Sequence, residues 1–457
     1  MKRNKILIPL FVVLAVLLIA VALFVYFRAP IMLQVNYPEL PEELPVETVL
    51  TAEQVTEDRE QMINSVENIH PYFLLEEDLS EYESAKEKYI SQTTGEMTVG
   101  DFRIATAEYL CFFGDGHTGA KWYEEKHLDI SWEYHEDGLY LLTEDTVSDE
   151  SEKLRVESIG GVASEVIFAQ IDRIRSAENE IAHIQNYENF AGGENILLSL
   201  GAQIADDKTV VTFTDGSQQE YSFVDPYAVV EEETDEAENT DGEKEADDVA
   251  NFVINSCYMQ GDVFVVDFNS CEVNEELESI AKQMEEAVKG GTTKFIIDVR
   301  GNGGGNSDAC VRLLNALGMK APQYDMFVRY SEEAAKQNGY IWKSGQACYE
   351  GADTGKANDK VELVVLCDRE TFSSATMLLV FVRDAGLGTI IGEPSANMPS
   401  AYGDIIYFTL DNSHVWGTIS HKRFIRPDGE NEERMLIPDI QTEPEDALEE
   451  ALKYLNQ

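Results

Sequence analysis

The sequence is short of positive charge. Of its 457 residues, 34 are Lys or Arg against 86 Asp or Glu, a formal net charge of −52. Phosphate binding needs clustered cations to displace counterions, so a nucleic-acid partner held by a global positive field is ruled out. A peripheral grip on anionic lipid is disfavoured for the same reason. Cysteine is sparse and scattered. The six, at 111, 257, 271, 310, 348 and 367, form no C-x-x-C pair, which removes the common zinc and redox motifs. A disulfide such as Cys257 with Cys271 is conceivable in an exported chain; otherwise the cysteines read as small buried apolar residues. Nucleotide signatures are missing too. The glycine loop at 300–306 has Asn306 where a dinucleotide fingerprint needs glycine, and no Gly-Lys-Ser/Thr follows it. What composition does supply is 44% hydrophobic and 26% charged residues, enough for more than one core. At about 150 residues per domain the expectation is about three domains.

The longest uncharged run lies at residues 6–27, flanked by Lys2, Arg3 and Lys5 before it and Arg28 after it. As a helix it would extend about 33 Å, enough to cross a hydrocarbon core of about 30 Å. It is longer than the apolar part of a signal peptide, and Tyr26-Phe27-Arg28 offers no small-x-small cleavage site. The reading is an uncleaved transmembrane anchor over residues 1–28. The basic residues ahead of it keep the N-terminus cytoplasmic and place everything from Ala29 onward outside the cell membrane.

Beyond the anchor the texture changes three times. Residues 50–125 read as a helical region, with helical periodicity at 52–69 and 79–90. Residues 126–226 alternate in short runs, with strands expected at 138–142, 153–159 and 209–213 around a helix at 164–174. The stretch 227–250 is a solvated acidic linker: from Glu231 to Asp248 it holds eleven acids and one Lys. Residues 251–457 then alternate strand and helix, the grammar of a largely parallel sheet with covering helices, so the fold class is α/β.

Three places in this pattern invite chemistry, and each has a structural alternative. The glycine loop after the strand at 294–299 either exposes N–H groups at a positive helix end or is a flexible turn. Ser373 and Ser374 sit between a buried strand and an apolar helix, where a serine either caps the helix or acts as a nucleophile beside a helix N-terminus. His117, among glycines and small polar residues, is either structural or a presented imidazole.

Taken together the three places, with their surroundings, resemble peptidase family S41, the C-terminal processing and tricorn-type serine peptidases. Phe295-Ile-Ile-Asp-Val-Arg-Gly-Asn-Gly-Gly-Gly305 resembles the family's strand and glycine motif. Thr371-Phe-Ser-Ser-Ala-Thr-Met377, with Arg383-Asp-Ala-Gly386 and Ile391-Gly-Glu-Pro394, resembles its nucleophile helix and next strand. Gly114-Asp-Gly-His-Thr118 is similar to the motif of the serine-histidine branch, and Ile437-Pro-Asp-Ile440 to the Pro-Asp that closes the core.

The resemblance implies a ClpP/crotonase-like catalytic core at 251–457, a PDZ-like α+β module at 126–226 and hydrolysis of a polypeptide substrate, with no metal or organic cofactor. It implies Ser373 as nucleophile, and an oxyanion hole formed by Ser374 with Gly303 or Gly304. The serine-lysine branch would need a lysine where this chain has Met398, and no lysine occurs from 361 to 421, which leaves His117 as the base. The orienting carboxylate implied is Glu432, with Glu433 close behind. Two positions depart from the pattern. Gly116 stands where a hydroxyl precedes the histidine, so Thr118 or Asp115 would substitute in the relay, and Thr376 stands where the nucleophile helix carries an acid. These departures motivate a second reading, a catalytically silent peptide-binding protein.

Overall fold

Side-chain caps start the N-terminal helices. After β1 (Val49–Leu50), Thr51 and Gln54 exchange hydrogen bonds in a capping box that opens α1 (Ala52–Ile69). Helices α2 (Tyr72–Leu75) and α3 (Ser80–Gln92) follow, then β2 (Met97–Thr98), whose Thr98 side chain caps α4 (Val99–Leu110). One turn of 3-10 helix, Cys111–Phe113, ends on Gly114 in the left-handed region, and the chain reverses towards β3 (Gly119–Ala120). That reversal carries His117. The computed structural model describes residues 38–121, 126–135, 137–142, 154–225, 254–351 and 355–456. The apolar run at 6–27 and the acidic stretch at 231–248 therefore lie outside the described residues. Among the described residues no helix is long and apolar enough to cross a membrane.

The next region comprises β4 (His127–Leu128), β5 (Trp132–His135), β6 (Gly138–Leu141), β7 (Val156–Ile159), β8 (Val162–Ala163), α5 (Ser164–Ile174), α6 (Glu180–Phe190), α7 (Glu194–Ser199), β9 (Lys208–Phe213) and β10 (Gln218–Val224). Its antiparallel sheet runs β4-β10-β9-β7-β8, and β5 pairs with β6. Helix α6 was not anticipated because it buries only Ala182 fully and so shows little apolar periodicity. This region does not have a core to itself. One apolar cluster runs from Val55 and Leu110 through Ile171 and Phe213 to Ile406 and Ile419, joining the helical region, the module and a second sheet.

The remaining elements are β11 (Ser256–Gln260), β12 (Val263–Asp267), α8 (Glu275–Gly290), β13 (Lys294–Asp298), α9 (Ser307–Ala316), β14 (Asp325–Tyr330), α10 (Glu332–Asn338), β15 (Gly345–Tyr349), β16 (Glu362–Cys367), α11 (Ser374–Ala385), β17 (Thr389–Gly392), β18 (Tyr402–Thr409), β19 (Trp416–Ile425), β20 (Ile440–Gln441) and α12 (Ala447–Leu455). The main sheet runs β11-β12-β13-β16-β17-β20 and is parallel except at the β11–β12 hairpin. Both faces are covered, which is why its strands read as unbroken apolar runs. Phe295, Ile297 and Val365 pack with residues of α8, α9 and α11 on one side, while Ile296, Val364 and Leu366 meet α12 on the other. The second sheet runs β15-β14-β19-β18, with β3 on β19. The β3–β19 pairing brings the His117 loop to the core. The conceivable Cys257–Cys271 bridge does not form: Cys271 is buried with its Sγ 3.7 Å from that of Cys310, and both are free thiols.

Candidate active site

The main sheet places Ser373 at its carboxyl edge. Strand β16 ends at Cys367, the chain turns through Thr371 and Phe372, and α11 begins at Ser374. At the turn Ser373 holds φ 52° and ψ −122°, a conformation that costs a non-glycine residue about 1–3 kcal/mol and is characteristic of functional sites. Two bonds keep it there: its N–H donates to Asn397 Oδ1 (2.8 Å) and its carbonyl accepts from Met377 (3.0 Å). The Ser373 side chain makes no capping hydrogen bond, so helix capping does not account for it. Its Oγ lies 3.0 Å from His117 Nε2 instead, across 256 positions of sequence. Thr376, where an acid was expected, anchors the helix with a hydroxyl that donates to the Thr371 carbonyl (3.1 Å).

The other half of the pair is held from several directions. Thr418 on β19 donates its hydroxyl to the His117 carbonyl (2.7 Å), and the Ser420 N–H donates to Thr118 Oγ1 (2.9 Å). Asp115 is buried beneath the loop, accepting from the His117 N–H (2.9 Å), the Thr118 hydroxyl (2.6 Å) and His70 Nε2 (3.3 Å). The tautomer of His70 follows from its other nitrogen. Nδ1 accepts the Tyr72 N–H (3.1 Å), so Nε2 carries the proton and donates to Asp115. Asp115 Oδ1 lies 3.6 Å from His117 Nδ1, slightly beyond hydrogen-bond length, a looseness common in unliganded catalytic sites. The face of Phe372 leans on the His117 ring, with centroids 4.8 Å apart.

Electrostatics follow the same layout. Burial pulls the His117 imidazole down, but Asp115 and then Glu178 outweigh it and hold it above the ordinary value of about 6.5. Burial pushes Asp115 up, and its contacts to His117 and His70 more than reverse this, leaving it well below the usual carboxylate range. Burial outweighs the pull of Asp115 at His70 and holds its imidazole below the ordinary value.

The remaining expected residues divide. The Gly303 and Ser374 N–H groups have no acceptor among the described residues. Gly304 does not share this freedom. Its N–H donates to Asn302 Oδ1 (2.8 Å), so it is no oxyanion donor; its contribution is steric. At φ +102°, a Cβ there would sit 2.6 Å from Ser373 Cβ, so only glycine lets the loop pass Ser373. Glu432 is not at the site: it is exposed, on a segment where neighbouring Glu433 accepts from Asn431 and faces Arg426. The carboxylates that do approach His117 are Asp115 and Glu178. Gly116 is small for a reason also visible here, since a Cβ would meet Phe372 Cζ at 2.8 Å and Glu178 Oε1 at 3.2 Å. A hydroxyl-bearing side chain has no room, and Asp115 reaches the imidazole without a relay. Of the nearby lysines, Lys422 pairs with Asp404, and Lys121, the residue after β3, is held below its ordinary value by burial.

Glu178 is the residue that sequence reasoning missed. It sits between α5 and α6, 1% exposed, and accepts from the Gly116 N–H (2.9 Å), Asn397 Nδ2 (2.6 Å) and the Met398 N–H (2.7 Å). Asp115, His117 and Glu178 each offer a ligand atom within 4.8 Å of the others, close enough to surround a cation. Each of the two carboxylates already accepts three hydrogen bonds, and His117 Nε2 faces Ser373.

Comparison with known proteins adds the following. Residues 261–442 match the model of peptidase family S41. No curated protein matches the sequence. Among solved structures, mature CPAF is similar over 88% of this chain and 96% of its own, at 14% identity and a TM-score of 0.55. CPAF complexed with lactacystin gives 88%, 97%, 14% and 0.54. The photosystem II D1 C-terminal processing protease covers 89% of this chain and 98% of its own, at 14% identity and a TM-score of 0.44. At such identities the CPAF likeness speaks to fold, and the mixed α/β architecture is shared.

Proposed function

From the match of residues 261–442 to the model of peptidase family S41, we propose that the chain is a serine endopeptidase working through Ser373 and His117. The observation that carries this reading is the 3.0 Å approach of His117 Nε2 to Ser373 Oγ, with the serine in a strained turn at a helix N-terminus. Ser373 Oγ attacks the carbonyl carbon of a peptide bond while His117 Nε2 takes its proton. The tetrahedral oxyanion is received by the Ser374 and Gly303 N–H groups at the positive end of α11. The imidazolium, stabilised by Asp115, returns its proton to the departing amine, and water then repeats the sequence on the acyl-enzyme. No metal enters any step.

The 126–226 region serves this reading as a PDZ-like peptide-binding module, and residues 6–27 serve as a membrane anchor with the catalytic domain on the outer face. Both rest on the sequence argument. Fractionation with protease protection of intact cells tests the second: the chain should sediment with membranes, and its catalytic domain should be accessible from outside. The chemistry is tested by incubating the protein with a fluorophosphonate and locating the adduct by mass spectrometry. The expected adduct is on Ser373; a protein that stays unlabelled across pH 6 to 9 would overturn the reading.

A further inference from the structure

Glu178 has an unusual set of partners for a buried acid. It is 1% exposed and, among the described residues, its carboxylate pairs with no Arg or Lys; three N–H donors from three positions around the Ser373–His117 pair reach it. Burying a carboxylate without a cationic partner is expensive unless its charge is well solvated by such donors, and a site that keeps one requires an account. The donors supply it. Gly116 lies between Asp115 and His117, so its N–H bond fixes the loop that presents the base. Asn397 gives its amide to Glu178 and, with the other end of the same side chain, accepts the Ser373 N–H at 2.8 Å. One carboxylate thus touches both halves of the pair, the base through one peptide bond and the nucleophile through one side chain.

The segment that carries Glu178 belongs to neither half. It joins α5 to α6 in the module and is clamped onto the catalytic domain. Asn179, which caps α6 by accepting the Ala182 N–H (3.0 Å), donates its amide to the Ser395 carbonyl (3.1 Å). Arg434 donates to the Glu178 carbonyl (2.7 Å), and its own carbonyl accepts from the Asn179 amide (3.3 Å). A second attachment lies nearby: Arg369, four residues before the nucleophile, bridges Glu188 of α6 and Glu393, each at 2.8 Å.

We propose that Glu178 is a positioning residue for the Ser373–His117 pair, so that the docked module is a working part of the active site and not only a substrate-binding appendage. This rests on the serine-peptidase reading above and deepens it. Geometry carries the first part of the role: without the carboxylate, the His117 loop and the Asn397 side chain lose their common anchor, and the 3.0 Å contact is no longer held from both ends. Charge carries the second. The groups that face His117 are Asp115 from its own loop, Glu178 from the module, Lys121 after β3 and Asp404 on β18, while His70 touches Asp115 from the turn after α1. Glu178 is the acid contributed by the module: burial raises its carboxyl above the usual value against the pull of His117 and of the Met398 and Gly116 N–H donors, and its ionised form is the negative charge the module brings. It favours the imidazolium that forms as Ser373 attacks, a preference that an uncharged group of the same shape would not supply.

The experiment uses the full chain and reads the rate of fluorophosphonate labelling at Ser373 against pH, for wild type, Glu178→Gln and Asn397→Ala. Glu178→Gln keeps the shape, removes the charge and turns an NH2 towards one of the N–H donors. It should label about 100-fold more slowly, the scale of a misplaced reacting group, and its acid limb should move to lower pH. Asn397→Ala keeps the charge and cuts the link to Ser373. It should slow labelling and leave the acid limb in place. Wild-type rate and limb in Glu178→Gln would overturn the proposal while leaving the peptidase reading intact. A slow Glu178→Gln with an unmoved limb would reduce Glu178 to a structural role and overturn it equally. If Glu178→Gln does not fold, as judged by its melting curve, a wild-type labelling rate in Asn397→Ala refutes the proposal and a slowed rate with an unmoved limb supports it. Absence of labelling in wild type would instead strike the underlying reading.

Discussion

The two halves of the proposed Ser373–His117 pair are held in different ways. Ser373 is positioned by its immediate neighbours: a strand end, a strained turn, the first turn of α11 and a glycine that lets the adjacent loop pass at contact distance. His117 is positioned from afar, by Asp115 and His70 beneath it, by Thr418 and Ser420 of β19, and by Glu178 of the module. A nucleophile needs one trajectory, and local backbone strain provides it. A base must also carry a changing charge, and buried carboxylates brought together by folding provide for that.

Removing the nucleophile should have the largest effect. Ser373→Ala should lower peptide hydrolysis by about four orders of magnitude or more, with the fold retained by circular dichroism. A smaller loss would mean that the locally built half is not the chemical centre. Next comes the histidine side. Because the charge of Asp115 raises His117, activity should fall as pH drops through a value above 6.5, where the imidazole protonates and can no longer accept the serine proton. Asp115→Asn should cost about 10²- to 10⁴-fold and move that limb downward in a pH-rate profile. A limb that stays in place would separate His117 from Asp115. Gly304→Ala tests the local half by crowding: a Cβ 2.6 Å from that of Ser373 should cost about 10- to 100-fold in kcat/KM, and an unchanged rate would show the loop to be free to retreat. The smallest effect is expected at Glu432. Exposed and away from the site, Glu432→Ala should leave hydrolysis within about twofold, as surface changes usually do. A loss comparable to that of Asp115→Asn would return the orienting role to it.

This contrast also explains what could be read from the sequence. The nucleophile side was legible because its information is local: an apolar strand, a small-residue turn and an apolar helix lie within about twenty residues, and the fully covered sheet announces itself by unbroken apolar runs such as Phe295-Ile296-Ile297. His117 was legible only through its motif, and Asp115 stood beside Thr118 as one of two substitutes until folding placed its Oδ1 beside the imidazole and the Thr118 hydroxyl on its Oδ2. Glu178 had no local signal. It is one acid among many, between a helix end and the Asn179 cap, and its burial is created by residues more than sixty and two hundred positions away. Glu432 shows the reverse error. The family resemblance implied a role for it, but its side chain is exposed and the contacts to Asn431 and Arg426 are made by neighbouring Glu433. Gly304 was placed correctly in the chain and assigned the wrong contribution, since sequence shows that an N–H is present but not where it points.

The pairing of β3 with β19 has a consequence for how such a chain is made. His117 is encoded early, yet it is tied down by Thr418 and Ser420, and Ser373 itself lies between them in sequence. A polypeptide cut short before β19 would hold both side chains and lack the strand that anchors the His117 loop, so the Ser373–His117 contact is a late product of chain closure.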